Sequence, residues 1–119
     1  MRYLVLLKGT APGTPPPPEL MAAIMQLGED ATAAGALLDT AGLAPSVDSA
    51  RVTVTGGGAL DVVDGPFAET KEMISYALYQ VRTKAEATEW TTRFMKLHRD
   101  LWPGWEGEAE VHRVFTPAG

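Results

Sequence analysis

Apolar residues recur along this chain with two different periods, and the periods separate predicted strands from predicted helices. Residues 2–7 are nearly all apolar, with β-branched and aromatic members, which predicts a strand buried on both faces. Residues 73–81 are mostly apolar on both faces as well, with Ile74, Tyr76 and Leu78 on one of them. The alternation over residues 108–115 predicts a final strand.

Residues 51–55 and 59–63 form a third pair of alternating segments around three consecutive glycines. Valines fall on one side of the first segment and polar residues on the other. Glycine permits the backbone angles of a tight turn, so this pattern predicts a β-hairpin.

Two other segments place apolar residues at steps of three and four, as on one face of a helix. The first starts after a proline run that ends at Pro18, and Gly35 is expected just past its end. Its apolar positions are Leu20, Ile24, Leu27, Ala31 and Ala34. The spacing therefore predicts one amphipathic helix between the first strand and residue 36.

The second predicted helix opens with a capping box, in which the Thr83 hydroxyl accepts from the backbone of Glu86. Its apolar positions are Ala87, Trp90, Phe94, Leu97 and Leu101. The helix is expected to end at Pro103-Gly104, sealed by the flanking Trp102 and Trp105. His98 is expected to be exposed near this end, where its charge suits the helix dipole.

The elements follow the order β-α-loop-β-β-β-α-β. Two helices with apolar stripes must cover one face of an antiparallel sheet, so we expect an α+β sandwich of ferredoxin-like type in a single domain, residues 1–119. Residues 36–50 fit no clear period and leave two interpretations open. They form either a lid or binding loop, or a plain connector that contains a short edge strand.

The helices leave the second face of this sheet uncovered, although two predicted strands are apolar on both faces. The projected area of such a face is very roughly 400–500 Å², which is at or above the limit for an exposed apolar patch and approaches the per-partner size of a standard interface. Since most soluble oligomers are twofold homodimers, we expect a second copy to pack sheet on sheet.

Charge and cysteine content narrow the classes of partner and site. The net charge of −5 argues against a nucleic-acid partner, and the absence of cysteine excludes disulfides and thiolate chemistry. The apolar N-terminal run is too short for a signal sequence, and no stretch is long enough to cross a membrane. We expect a cytoplasmic protein. With two histidines and no phosphate-binding loop, neither a metal nor another cofactor is expected.

Residues 64–72 hold the densest cluster of candidate chemistry. Asp64-Gly65-Pro66 is a turn signal, and Asp64 ends a predicted strand beside a glycine that leaves room for a ligand. Partial burial would make its carboxylate a usable general base, so Asp64 is the candidate catalytic residue. The alternative is an Asx-turn, in which the carboxylate accepts backbone N–H groups.

The other charges of this stretch also have more than one interpretation. Lys71 and Glu72 could form an anion site with its balancing partner, or join Glu69 in a solvated ion-pair cluster worth about 0–1 kcal/mol per pair. They could also tie the loop down across a dimer. Tyr76 could line the space between two sheets or remain a core tyrosine with a satisfied hydroxyl. Near the C-terminus, His112 lies on the polar side of its strand, where it can pair with Glu110.

These residues resemble the DGPF group of the YCII-related proteins. The signature is the run Asp64-Gly65-Pro66-Phe67-Ala68-Glu69-Thr70-Lys71-Glu72. Residues 1–7, 42–45 and 85–90 are similar to further parts of the family pattern, as is Tyr76. The resemblance implies a ferredoxin-like fold that forms a dimeric α/β barrel. It makes Phe67, Glu69, Lys71, Glu72 and Tyr76 the candidate ligand-binding residues.

Two departures limit what the resemblance implies about function. A His–Asp pair proposed for narrower YCII proteins has its histidine early in the chain, whereas here no histidine precedes His98. The last strand reads Glu110-Val111-His112-Arg113 where the family has Glu-Val-Arg-Pro. Some relatives are implicated in lactone dehydrochlorination, and others are encoded near extracytoplasmic-function sigma factors.

Two functional hypotheses follow. The first is a homodimer that binds a small organic molecule near Asp64, with cofactor-free elimination, isomerisation or lactone chemistry as the reaction it suits. The second is a non-catalytic dimeric regulatory or structural module in which the signature is architectural.

Overall fold

The computed structural model describes residues 1–10 and 14–115. In chain order its elements are β1 Arg2–Gly9, α1 Pro18–Ala33, β2 Leu37–Gly42, β3 Ala50–Val54, β4 Leu60–Asp64, β5 Glu72–Gln80, α2 Lys84–Leu101 and β6 Gly107–Arg113. A short 3₁₀ turn at Ser46–Asp48 lies between β2 and β3. Neither helix combines the length and apolarity needed to span a membrane.

Four strands form one antiparallel sheet in the order β2-β5-β1-β6. The β3–β4 hairpin forms a separate two-stranded sheet. Without this hairpin the chain reads β-α-β-β-α-β, which is the ferredoxin-like arrangement. The expected α+β fold, with an antiparallel sheet and two helices, is confirmed.

The core lies between the helices and one face of the sheet. Alternate residues of β1 point toward the helices, and Tyr3, Val5 and Leu7 are each at most 5% exposed. Ala31 of α1 and Ala87 of α2 are also buried. Their small side chains let the helices approach the sheet closely. One-sided burial of this kind leaves the other sheet face without cover from the helices.

That other face, which we call the open face, has an apolar centre. Strand register places Leu4 of β1 opposite Leu78 of β5, and Leu6 opposite Tyr76. All four side chains are half-buried. The prediction of a second, largely apolar sheet surface is therefore correct for the two central strands.

The open face becomes charged toward β6. Its residues Glu108, Glu110 and His112 lie opposite Lys8, Leu6 and Leu4, respectively. The apolar centre of the open face is consequently bordered on this side by ionisable groups.

A register shift in β5 makes one sequence prediction wrong. Leu7 pairs with Ser75 but Lys8 pairs with Met73, so Ile74 is an extra residue in a β-bulge. Ile74 therefore does not share the face of Tyr76. Its side chain instead lies beside Gly9, and the Trp105 ring lies next to the same glycine.

The segment 36–50 is more regular than its sequence suggests. Residues Leu37–Gly42 form an edge strand on β5, so the predicted short edge strand is present. The Thr40 hydroxyl donates to the Tyr76 carbonyl at 2.8 Å and adds a side-chain bond to that edge.

Both helix starts agree with the sequence signals. Pro18 occupies the first turn of α1, and Gly35 follows its end with a φ of 74°. At α2 the Thr83 hydroxyl accepts from Glu86 N–H at 3.2 Å. The Glu86 carboxylate accepts from Arg82 N–H, one residue before the cap, so the reciprocal bond of the capping box is displaced by one position.

The prediction for His98 is wrong, because this side chain is only 4% exposed. The chain after α2 turns at Gly104, whose φ is 84°, and returns Trp105 against the helix. The imidazole ring lies 4.6 Å from the centres of both the Trp105 and Phe94 rings. Its Nδ1–H donates to the Phe94 carbonyl at 3.0 Å.

Burial of His98 predicts a pH-dependent stability. Desolvation lowers the pKa of His98, and its bond to the Phe94 carbonyl opposes that shift. Below about pH 6.5 the unfolded chain therefore binds more protons than the folded one. The free energy of unfolding should fall as pH decreases from 6.5 toward the folded pKa, by up to about 1.4 kcal/mol per pH unit. Urea denaturation at about pH 7.5 and 5.5 measures this loss.

The matched variants separate His98 from the other histidine. His98→Phe should remove most of this slope, whereas His112→Gln, which changes an exposed ring, should retain it. An unchanged slope in His98→Phe would show that other groups carry the pH dependence.

Candidate functional site

The signature loop, residues 65–71, connects the end of β4 to the start of β5 and packs on the turn before β3. Gly65 N–H donates to the Ser49 carbonyl at 2.7 Å, and the Gly65–Pro66 peptide bond is cis. A Cβ at position 65 would lie 1.5 Å from the Ser46 carbonyl oxygen. Only glycine allows this approach, so this part of the signature is architectural.

Ser46 joins the two ends of the loop. Its hydroxyl accepts from Phe67 N–H at 3.2 Å and donates to Glu72 Oε1 at 2.8 Å. The Phe67 N–H, the Ser46 hydroxyl and the Glu72 carboxylate thus form a chain of two hydrogen bonds. The arrangement orients the Glu72 carboxylate, which is half-buried.

Arg51 attaches the loop to the hairpin. Its guanidinium lies 4.1 Å from the centre of the Phe67 ring, in a cation–π contact, and pairs with the Glu69 carboxylate. Both charged side chains are about half exposed, so the ion pair itself adds little stability. Its main effect is to hold the loop against the start of β3.

A surface depression of about 520 Å³ lies between the signature loop, the base of the hairpin and the adjoining ends of β1 and β5. Four of the predicted ligand-binding residues line it, namely Phe67, Glu69, Lys71 and Glu72. The other lining residues are Lys8, Leu43, Ala44, Ser46, Ser49, Ala50, Arg51 and Met73. The depression therefore combines apolar walls with a few charged groups.

Ion pairs connect this depression to β6. Lys71 Nζ lies 3.6 Å from Glu108 Oε1, and Lys8 Nζ lies 3.6 Å from Glu110 Oε2. The predicted His112–Glu110 pair is present, with Nε2 2.8 Å from Oε1. The pKa of Glu110 is lowered, first by the hydrogen bond from His112 and then by the charge of Lys8.

Tyr76 lies away from the depression, on the open face. Its hydroxyl donates to Asp39 Oδ2 at 2.8 Å, and this bond to a carboxylate raises the pKa of Tyr76. Asp39 was not a sequence candidate, because residues 36–50 lacked a clear period. The structure therefore gives Tyr76 a polar partner on β2 instead of a place beside the other four candidates.

Asp64 is exposed at the end of β4, where it pairs with Ala50 across the hairpin. It is not among the residues that line the depression. Within residues 1–10 and 14–115 its carboxylate accepts no hydrogen bond, so the Asx-turn alternative lacks its defining contact. The role of Asp64 as a base stays a prediction.

Ser46 and Arg51 are the site residues that sequence reasoning missed. Neither belongs to the signature, and each meets it across a long separation in the chain, 26 residues for Ser46–Glu72 and 18 for Arg51–Glu69. The only available signal was the expected position of the hairpin directly before the signature.

Two further observations concern the interior cavity and metal ligands among the described residues. The cavity between the helices and the sheet measures about 60 Å³, whereas sites for small organic ligands measure about 300–1,000 Å³. Across residues 1–10 and 14–115, no cluster of three or more His, Asp or Glu side chains is arranged to hold a metal ion.

Comparison with protein-family models gives a match to the YCII-related domain over residues 1–99. The chain belongs to the YCII-related family. The match includes the whole signature loop and both halves of the ferredoxin-like arrangement as far as α2, so the resemblance seen in the sequence is confirmed. Strand β6 lies beyond it. No curated protein sequence matches the chain.

The contact at Gly65 predicts a large effect of a single methyl group. Gly65→Ala should lower the free energy of unfolding by about 2–4 kcal/mol, because the new Cβ overlaps a backbone oxygen that cannot rotate away. Chemical denaturation measures the change. Gly57→Ala, in the hairpin turn with no atom near its Cβ, should change stability by less than about 1 kcal/mol. Equal effects would contradict the architectural role.

Proposed function

We propose that this YCII-related protein binds a small organic molecule in the depression beside the signature loop, as a homodimer. The observation that carries the proposal is that four signature residues line one depression. Its volume of about 520 Å³ falls within the range of about 300–1,000 Å³ that is typical of small-ligand sites. The lining residues 67, 69, 71 and 72 come from the family signature.

The lining side chains indicate the chemistry of the ligand. Leu43, Phe67 and Met73 provide apolar surface, and Lys8, Arg51 and Lys71 provide cations, each of which also pairs with a carboxylate. A ligand with an apolar body and a carbonyl or carboxylate group matches this combination. Small carboxylic acids and lactones belong to this class.

The reaction that suits such a site is a cofactor-free elimination, isomerisation or lactone conversion. Glu72 is held at the depression by Ser46, and a carboxylate in that position can remove a proton from a carbon next to a carbonyl. Asp64, at the adjoining end of β4, is the second candidate base. Binding needs the lining residues alone, whereas turnover also needs one of these two bases.

The homodimer in this proposal is formed by two open faces, as in a dimeric α/β barrel. Leu4, Leu6 and Leu78 would leave water on association, which is the main favourable term in such interfaces. The ionisable side chains of β6 would then border the interface.

The second candidate function is a non-catalytic module. The tight contact of Gly65 with Ser46 favours it, since this part of the signature serves the backbone and not a ligand. In that case the purified protein would carry no small molecule and respond to none.

Ligand-observed NMR with a panel of small carboxylic acids and lactones tests the binding proposal. At least one compound should bind. Lys71→Met should lower the affinity for carboxylates at least tenfold, about 1.4 kcal/mol, because it removes a cation from the lining. Lys84→Met removes a cation from the first turn of α2 and should leave the affinity unchanged.

Two outcomes of the screen would count against the proposal. A panel without any binder favours the non-catalytic module. Equal affinities in both lysine variants would show that the ligand binds outside the depression.

Asp64→Asn separates the candidate bases. Loss of binding or turnover with stability within about 1 kcal/mol would support Asp64, whereas an unaffected variant leaves Glu72 as the base.

Sedimentation equilibrium at micromolar concentration tests the homodimer. The wild-type chain should sediment at twice its 12.7 kDa mass, and Leu6→Asp should shift it to monomer by placing a charge at the centre of the open face. Met25→Asp makes the same change on the exposed surface of α1 and should remain dimeric. A wild-type monomer would refute the homodimer.

A further inference from the structure

A second surface depression lies at the C-terminal end of α2 and shares no lining residue with the one beside the signature loop. Helix α2 contributes Lys96 and Arg99 to its lining, and the chain after the helix contributes Trp102, Trp105 and Glu106. Its volume of about 540 Å³ falls within the range of about 300–1,000 Å³ that is typical of small-ligand sites. We call it the tryptophan depression.

Two glycines of the sheet fix the position of Trp105. Gly9 of β1 lies opposite Gly107 of β6, and a Cβ at either position would lie within 2.6 Å of the Trp105 ring. A strand glycine at such a point marks the close approach of another group. The ring also packs on the buried His98, with 4.6 Å between the ring centres. The indole N–H is buried without an acceptor in residues 1–10 and 14–115, so packing and not hydrogen bonding holds the ring in place.

Trp102 stacks on this fixed ring. The two indole centres lie 6.0 Å apart, and the ring planes differ by 15°. Both side chains are half-buried, so part of each aromatic surface remains at the depression. A pre-positioned aromatic surface favours ligands with flat aromatic rings, which pack on it in offset or edge-to-face arrangements.

The remaining tryptophan of the chain has a different environment. The Arg93 guanidinium lies 4.5 Å from the centre of the Trp90 ring, in a cation–π contact. Within the described part of the chain, neither Trp102 nor Trp105 has a cation over its ring. The cations that line the tryptophan depression therefore do not cover its aromatic surface.

The charged groups of the depression favour an anionic ligand. Lys96 is exposed and forms no ion pair with any residue that the structure describes. Arg99, three positions further along α2, pairs with its neighbour Asp100, and the two side chains are 69% and 57% exposed. Such an exposed pair adds little stability, so a ligand anion can replace it. Glu106 adds a carboxylate from the chain after the helix, so an anionic group is favoured on the α2 side.

We propose that the tryptophan depression binds a flat aromatic molecule that carries a carboxylate. Its ring packs on Trp102 and Trp105, and its carboxylate pairs with Lys96 and Arg99. Stacking supplies the selectivity for an aromatic ring, and charge-assisted hydrogen bonds supply the selectivity for an anion. This site depends neither on the homodimer nor on the ligand of the proposed function, because it uses none of the residues that carry them.

Titration with 2-naphthoate, followed in two-dimensional NMR spectra of the indole N–H groups, tests the site. The signals of Trp102 and Trp105 should shift on binding, whereas that of Trp90, which lines a different depression, should not. 2-Naphthalenemethanol lacks the charge and cyclohexanecarboxylate lacks the aromatic ring, so each should bind at least about tenfold more weakly.

Lys96→Met is the decisive variant, since the side chain is exposed and its loss leaves the core intact. We expect the dissociation constant of 2-naphthoate, measured from the Trp102 signal, to rise at least about fivefold. Two matched controls remove a lysine elsewhere. Lys84→Met, in the first turn of α2, and Lys71→Met, beside the signature loop, should each leave this constant within about twofold of wild type.

Each other outcome overturns the inference. Trp102 and Trp105 signals that stay unmoved at about 5 mM 2-naphthoate would show that the depression does not bind it. Equal affinity for 2-naphthalenemethanol would remove the role of the cations, and equal affinity for cyclohexanecarboxylate would remove that of the indoles. If Lys71→Met weakens binding and Lys96→Met does not, the aromatic acid binds beside the signature loop, which supports the proposed function and refutes this site.

Discussion

Two helices can cover only one face of a four-stranded sheet, and this limit on burial governs the rest of the molecule. Alternation along β1 sends Tyr3, Val5 and Leu7 into the helix layer and leaves Leu4 and Leu6 on the open face. Residues 3–7 of the strand are nonetheless all apolar, because the strand is central in the sheet. The chain thus folds with a core on one face of the sheet and an uncovered apolar surface on the other face.

The family signature divides into two parts with different physical roles. Gly65 and Pro66 bring the backbone against the 46–49 turn at a distance that excludes any side chain at position 65. Residues 67, 69, 71 and 72 then line the depression, where Ser46 and Arg51 contact the loop. A specific sequence motif therefore need not mark a reactive group, since part of it exists to place the neighbouring residues.

Membership of the YCII-related family accounts for β1 through most of α2, but the match ends at residue 99. The ionisable residues of β6 lie beyond it and still pair with Lys8 and Lys71, which line the depression. The buried His98, within the match, packs on Trp105, which lies outside it. Side chains on the two sides of residue 99 therefore contact one another across the end of the match.

The sequence by itself determined most of the elements and most of the faces that they bury. Apolar periodicity and the capping residues of α2 are local signals, and the helices, the hairpin and the central strands follow from them. Only the tertiary structure decided which segments meet. The bulge at Ile74 depends on the pairing of two strands, and the burial of His98 depends on how the chain turns after Gly104. The contacts of Ser46 and Arg51 with the signature loop join residues far apart in the chain, where periodicity carries no information about partners.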